Sequence, residues 1–155
     1  MAEYGNTSKE RLATCHLDIQ TVMNEVIKYF DNTIVSAQRL PEEQFELFKK
    51  GREEQNGKWV IVDKKKVVTY KDGYEKTSKH NETPLSDAVD AVPYPIDWED
   101  HTRMNYFAGF VMGISKVLKN RGIIDHELTW GADWDNDTMT NDQKFVDRPH
   151  FQIRK

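Results

Sequence analysis

Residues 78–95 read SKHNETPLSDAVDAVPYP. Its centre, AVDAV at residues 88–92, is rich in small and β-branched residues and is ended by Pro93 and Pro95, the pattern of a short strand. Side chains alternate along a strand, so Val89 and Ala91 share one face while Asp90 points with Ala88 and Val92 to the other. Upstream of the strand stands His80, and two carboxylates, Asp87 and Asp90, follow it. By itself the stretch reads more plainly as a polar loop than as a metal site. Zinc held for catalysis takes three protein ligands, so the rest of the chain must supply another.

The stretch DRPHFQI at residues 147–153 is the place to look. If HFQI is a strand, Phe151 and Ile153 face the core and His150 and Gln152 face the opposite way. Two strands can thus project His150 and Asp90 into one cleft. Parity permits such a site without establishing it. Asp147, three residues before His150, fits two readings equally: a general base beside a metal-activated water, or a turn residue ahead of Pro149.

The other three histidines carry less. His16 falls on the apolar face of the first helical region, where a packed, hydrogen-bonded ring is expected. His101 lies near the start of a long helix and should be exposed. His126, in IIDHEL, has no assignable role.

Around these stretches the chain alternates helix and strand without a βαβ rhythm. Leu12, His16, Ile19, Met23, Val26, Ile27 and Phe30 recur at helical spacing, predicting an amphipathic helix or a broken pair of helices within residues 9–30. TIVSA at residues 33–37 is β-prone. PEEQFELFKKG reads as a helix begun by Pro41 and ended by Gly51, its early glutamates and late lysines suiting the helix dipole. KWVIVD (residues 58–63) and KVVTYK (residues 66–71) are expected to pair as a β-hairpin, followed by an Asp72-Gly73 turn. Residues 102–120 form the strongest helical pattern, closed by Gly122. Its Gly109 and Gly113 predict close packing against a neighbouring element. Residues 128–133 and 150–153 are expected as the last strands. The fold class that follows is α+β, a small antiparallel sheet flanked by helices.

Bulk properties narrow the function. At 155 residues the chain is the size of one domain that buries about two-thirds of its unfolded surface, so residues 1–155 are expected to form a single unit without a separate wall-binding module. A net charge of −4 gives no basic face for nucleic acid, and Lys64-Lys65-Lys66 reads as a solvated hairpin tip. Cys15 is the only cysteine, which excludes an internal disulfide and a thiolate zinc cage. The N-terminal MAEYGNTSKERL has no apolar signal region, and YFAGFVMGISKVL (residues 106–118) is too short to span a bilayer. The chain is expected to be made in a cytosol without membrane insertion, and as a monomer.

Four motifs in order resemble a known family: Arg39 with Gln44 as Arg-x-x-x-x-Gln, SKH at residues 78–80, AVD at residues 88–90 and DRPH at residues 147–150. Together they resemble the zinc peptidases of the D-Ala-D-Ala carboxypeptidase and dipeptidase superfamily. The SKHN opening, AVPYPIDW (residues 91–98) and WGADWD (residues 130–135) look most like bacteriophage endolysins that cut the L-alanyl-D-glutamate bond of peptidoglycan. The likeness runs from about Ser8 onward.

The resemblance implies a hedgehog/DD-peptidase-like fold and Zn2+ held by His80, Asp90 and His150. Asp147 would be the base and Arg39 would steady the oxyanion, with Ser78 and Gln44 as supporting or substrate residues. It implies a peptidoglycan stem peptide as substrate, reached after release through a membrane pore. Two imidazoles and one carboxylate would leave zinc a net +1 charge and a free coordination place.

Two departures stand out. The superfamily often spaces its first His and Asp by seven, which lands on Asp87. Asp90, ten positions on, is preferred for its Ala-Val-Asp context and strand parity. Ala132 stands where the endolysin pattern usually has Gly, and it should perturb packing little.

Asp133, Asp135 and Asp137 resemble the start of a Ca2+ loop, but Thr138 replaces the expected glycine and no glutamate stands at the twelfth position. An acidic turn is favoured over a looser calcium site. Two alternatives to the endolysin reading remain: a D-alanyl-D-alanine carboxypeptidase on the same scaffold, and a non-catalytic, zinc-stabilised domain that binds stem peptides.

Overall fold

The computed structural model describes residues 1–155. Two short helices come first, α1 (Asn6–Leu12) and α2 (Leu17–Val26), followed by β1 (Asn32–Ser36) and α3 (Pro41–Lys49). A small hairpin, β2 (Arg52–Gln55) and β3 (Lys58–Ile61), precedes β4 (Ala88–Pro93). The chain then forms α4 (His101–Asn120), β5 (Leu128–Trp130) and β6 (His150–Ile153). The main sheet has the order β1-β4-β6-β5, antiparallel throughout. The class is α+β, as the mixed pattern of elements implies.

Strand parity organises the molecule. Val89 and Ala91 of β4, Phe151 and Ile153 of β6, and Leu128 of β5 face a core completed by Ile19, Val22, Met23 and Val26 of α2 and Phe107, Ala108 and Val111 of α4. Burying the valine, leucine, isoleucine, methionine and phenylalanine side chains among these contributes roughly 1.5–3 kcal/mol each. The opposite face of the same strands carries Asp90 and His150, which are direct partners in the β4–β6 register.

The first helical region is a broken pair, with a physical cause. Between α1 and α2 the chain leaves helical geometry to pair with Ser86: His16 N donates to Ser86 O at 2.8 Å and Ser86 N donates to Thr14 O at 2.8 Å. His16 is therefore not on the apolar helix face. It caps α2, its Nδ1 accepting from Asp18 N at 3.0 Å.

The hairpin forms one step earlier than its strand-like residues suggest. REEQ pairs with KWVI across Asn56-Gly57, whose φ values of 52° and 78° are those of the two-residue turn that favours Asn-Gly. Lys64–Lys66 is a single 3-10 turn, its Lys65 N donating to Asp63 Oδ1 at 3.1 Å. Residues 66–71 form no strand. They are held instead by side chains of α3 and β2: Gln44 Nε2 donates to Thr69 Oγ1 and Lys71 O, and Arg52 donates to Thr69 O. The last expected strand before the C-terminal one also shortens, to Leu128–Trp130, because the chain turns at Gly131.

Gly109 and Gly113 do not pack closely against a neighbour, contrary to their spacing: a Cβ at either would meet nothing within 4 Å. Both sit inside α4 in open space, where glycine costs about 1 kcal/mol relative to alanine. Gly109→Ala and Gly113→Ala are each expected to stabilise the protein by roughly 0.5–1 kcal/mol, read as a raised urea midpoint at unchanged m-value. A loss of stability would mean that this helix face has a partner in solution.

Candidate metal centre

His80 is delivered by a 3-10 turn, Lys79–Asn81. Ser78 starts the turn, its Oγ accepting from His80 N at 3.3 Å, and Asn81 Oδ1 accepts from Ser78 N at 2.8 Å. The turn is sewn to the segment after β1: Arg39 N donates to His80 O at 2.8 Å and Asn81 Nδ2 donates to Arg39 O at 3.0 Å. Asp90 and His150 come from the middle of the sheet, side by side. All three residues are buried.

Their ligand atoms converge. His80 Nε2 lies 3.2 Å from Asp90 Oδ1 and 3.2 Å from His150 Nδ1, and His150 Nδ1 lies 3.4 Å from Asp90 Oδ1. Atoms about 2.0–2.1 Å from a tetrahedral zinc stand about 3.3 Å apart, so the triangle has the edges such an ion requires.

The protons agree. Ala37 O can only accept, so His80 carries its hydrogen on Nδ1 and donates it over 2.7 Å. Gln152 Oε1 likewise takes the hydrogen of His150 Nε2 over 2.9 Å. In the neutral rings both inward nitrogens are then bare lone pairs facing a carboxylate oxygen. Three such donors repel unless a positive charge lies among them. Partners that fix the tautomer of a ligating histidine are the usual second layer of a metal site.

Arg39 stands behind the acid. Its Nη2 donates to Asp90 Oδ2 at 2.9 Å, Nη1 to Gln44 Oε1 at 3.2 Å and Nε to Ser36 Oγ at 2.9 Å. The grip on Oδ2 leaves Oδ1 turned toward the imidazoles. Each terminal nitrogen keeps one N–H free, and Arg39 lines the same cavity as the triad. Gln44, fully buried, fixes the guanidinium from below.

Electrostatics follow from this packing. Burial alone would raise the pKa of Asp90, but the charges and hydrogen bonds of His80 and His150 hold it well below the carboxylate range. Burial disfavours charge on His150, yet the hydrogen bond and charge of Asp90 outweigh it and raise the imidazole. Asp147 is pushed up by burial and then by the charge of Asp90, against the pull of His150, His80 and Arg39. A cation among the ligands would pull Asp147 back down.

Asp147 Oδ2 is 4.0 Å from His150 Nδ1, on the more open side. Gly131 sets its position. Asp147 N donates to Gly131 O at 2.7 Å and Gly131 N to His150 O at 2.8 Å, and a Cβ on Gly131 would collide with Asp147 O. Above the triad lies a cavity of about 690 Å³. Trp134 forms one wall, its ring 5.4 Å from that of His150 and stacked on Phe145.

The chain superposes on the crystal structure of the L-Ala D-Glu endopeptidase ChiX of Serratia marcescens with a TM-score of 0.60 and 20% identity, over 97% of this chain and 89% of that one. The two share a fold. No protein-family model and no curated protein sequence matches the chain.

Asp87, the alternative acid, takes another place: its Oδ2 pairs with Lys155 Nζ at 2.9 Å. Asp133, Asp135 and Asp137 do gather. Asp133, however, already accepts from Asp137 N at 3.1 Å and Thr138 N at 3.0 Å, which accounts for the cluster as a turn. A second His–Asp–His group, His16, Asp18 and His126, is likewise self-satisfied. Asp18 Oδ2 accepts from His126 Nδ1 and N, both at 2.9 Å, and the His16 Nδ1 lone pair is used by the α2 cap.

Three residues of the site have no role assigned by a motif: Gln152, and Gly131 and Trp134 within WGADWD. Gln152 does have a signal in the sequence, since parity puts it on the face of His150. Gly131 has only its place in WGADWD, because its need arises from contact with a segment sixteen residues away in sequence.

The chain is expected to bind one Zn2+, measured by competition with a chromophoric chelator. His80→Ala or His150→Ala should weaken binding at least 100-fold, and Gln152→Leu, which removes only the tautomer lock, by roughly 10–100-fold. Unchanged affinity in His150→Ala would refute this ligand set.

Proposed function

We propose that the chain is a zinc peptidase that hydrolyses the L-alanyl-D-glutamate bond of the peptidoglycan stem peptide, working as a phage endolysin. The observation that supports it best is the convergence of three donor atoms at the floor of a cavity, with the Asp147 carboxylate beside them. The fold shared with an L-Ala D-Glu endopeptidase and the order of the sequence motifs point the same way. No helix is long and apolar enough to cross a membrane, and a wall peptide would be met after release through a pore.

His80, Asp90 and His150 would hold the metal. Zinc in such a site supplies Lewis acidity toward a carbonyl oxygen and lowers the pKa of a water to about 7. The chain's own groups do the rest. Asp147 takes the proton of the attacking water and delivers it to the leaving amine, a role worth about 10²–10⁴ in rate. The free N–H groups of Arg39 face the negative charge that grows on the carbonyl oxygen, while its Nη2 bond keeps Asp90 in register. Ser78 keeps His80 at the end of its turn. Trp134 shields the rear of the His150 ring from solvent.

Two measurements test the proposal. Mass spectrometry of digested wall fragments should find new free D-Glu amines. Loss of terminal D-Ala alone would instead identify a carboxypeptidase. Asp147→Asn is expected to retain stoichiometric zinc while turnover falls about 10²–10⁴-fold. Wild-type lysis of permeabilised cells by that variant would leave a binding domain as the better reading.

A further inference from the structure

The cavity is more basic than its chemistry requires. Its carboxylates are Asp90 and Asp147, against the cations Arg39, Lys50, Lys71 and Lys79, in a chain whose net charge is −4. Arg39 is committed to Asp90, and Lys79 lies 3.9 Å from Glu82. The ion pairs made by lysines elsewhere belong to Lys28, Lys49, Lys66 and Lys155. Lys50 and Lys71 are left as cavity-lining cations without an acidic partner.

The main chain of Lys71 is fixed with respect to the triad. Lys71 O accepts from Gln44 Nε2 at 3.0 Å, Gln44 Oε1 accepts from Arg39, and Arg39 holds Asp90. Three hydrogen bonds thus connect Lys71 to the acid ligand. Gly73 secures the same segment, for a Cβ there would stand 2.8 Å from Pro41 O and 2.9 Å from the Gln44 side chain. Lys50 caps the C-terminal end of α3, the helix that carries Gln44.

We propose that Lys50 and Lys71 form a carboxylate-binding subsite, so that the peptide taken by this cavity must carry a free carboxylate close to the bond that is cut. Two exposed ammonium groups lining one cavity attract an anion and gain little from a neutral amide of the same shape. The inference rests on the cavity being the substrate site proposed above. In a stem peptide the candidate groups are the α-carboxylate of a D-Glu linked onward through its side chain, and the carboxylate at the peptide's end. Amidation of the first would make a wall peptide a poor ligand.

The test uses N-acetyl-L-Ala-γ-D-Glu-L-Lys in four forms, with each of the two carboxylates free or amidated. Binding to the zinc-loaded Asp147→Asn protein is followed by quenching of tryptophan fluorescence, since Trp98 and Trp134 line the cavity. Amidation of the recognised carboxylate should weaken binding at least tenfold, and the four forms identify which carboxylate that is. Adding Lys50→Gln and Lys71→Gln should weaken the free form by a similar factor and change the amidated form less than twofold. Equal binding of all four forms, or a double lysine variant that binds like its parent, overturns the proposal, as does absence of saturable binding. If binding depends on the carboxylate and the lysines but the wild-type protein cuts none of the peptides, the subsite stands and the peptidase reading falls. Hydrolysis with a KM indifferent to amidation removes the subsite and leaves the peptidase standing.

Discussion

Mutual repulsion among three electron-rich atoms is the constraint on which the rest of this structure turns. His80 Nε2, His150 Nδ1 and Asp90 Oδ1 are held within 3.4 Å of one another, and each is backed by a partner that keeps it facing inward. Ala37 O, Gln152 and Arg39 perform that task for His80, His150 and Asp90 in turn. Such an arrangement is stable only around positive charge, and everything nearby is arranged to deliver it intact. The β4–β6 register sets two donors side by side, the 3-10 turn delivers the third, and the buried Gln44 braces the arginine.

The same alternation builds the core and the site. Phe151 and Val89 are buried against α2 and α4 by the pleat that turns His150 and Asp90 the other way. A slip of one residue in the β4–β6 pairing would therefore exchange the two faces, and the hydrophobic cost of doing so protects the geometry of the triad.

Much of this is legible in the residues. Alternation in AVDAV and HFQI assigns both faces, and the Ala-Val-Asp context puts weight on Asp90, which meets the imidazoles while Asp87 pairs with Lys155. A break in the first helical region is one of two readings its spacing allows, and the cause that decides it is not legible, because the pairing of Thr14 and His16 with Ser86 lies outside any local window. The hairpin is misplaced by sequence for a different reason. Branched residues in KVVTYK outweigh the Asn56-Gly57 signal, yet the turn dictates where antiparallel pairing starts. The glycines of α4 mislead in the same way, since spacing shows which residues share a face and not whether anything lies against it. Composition also fails to separate the two His–Asp–His groups. What distinguishes them is where the protons go, and that is set by acceptors such as Ala37 O that no motif contains.

The main sheet contains no tight hairpin: its central strands meet only after a long excursion, and His80 and His150 are 70 residues apart. Closing a loop of that length costs about 4 kcal/mol of chain entropy on simple scaling, and topologies so rich in distant pairings fold slowly. A cation that ties His80, β4 and β6 together would act as a clasp on that loop, so that metal supply, besides equipping the cleft, would decide how long the nascent sheet lingers with its edges open to aggregation.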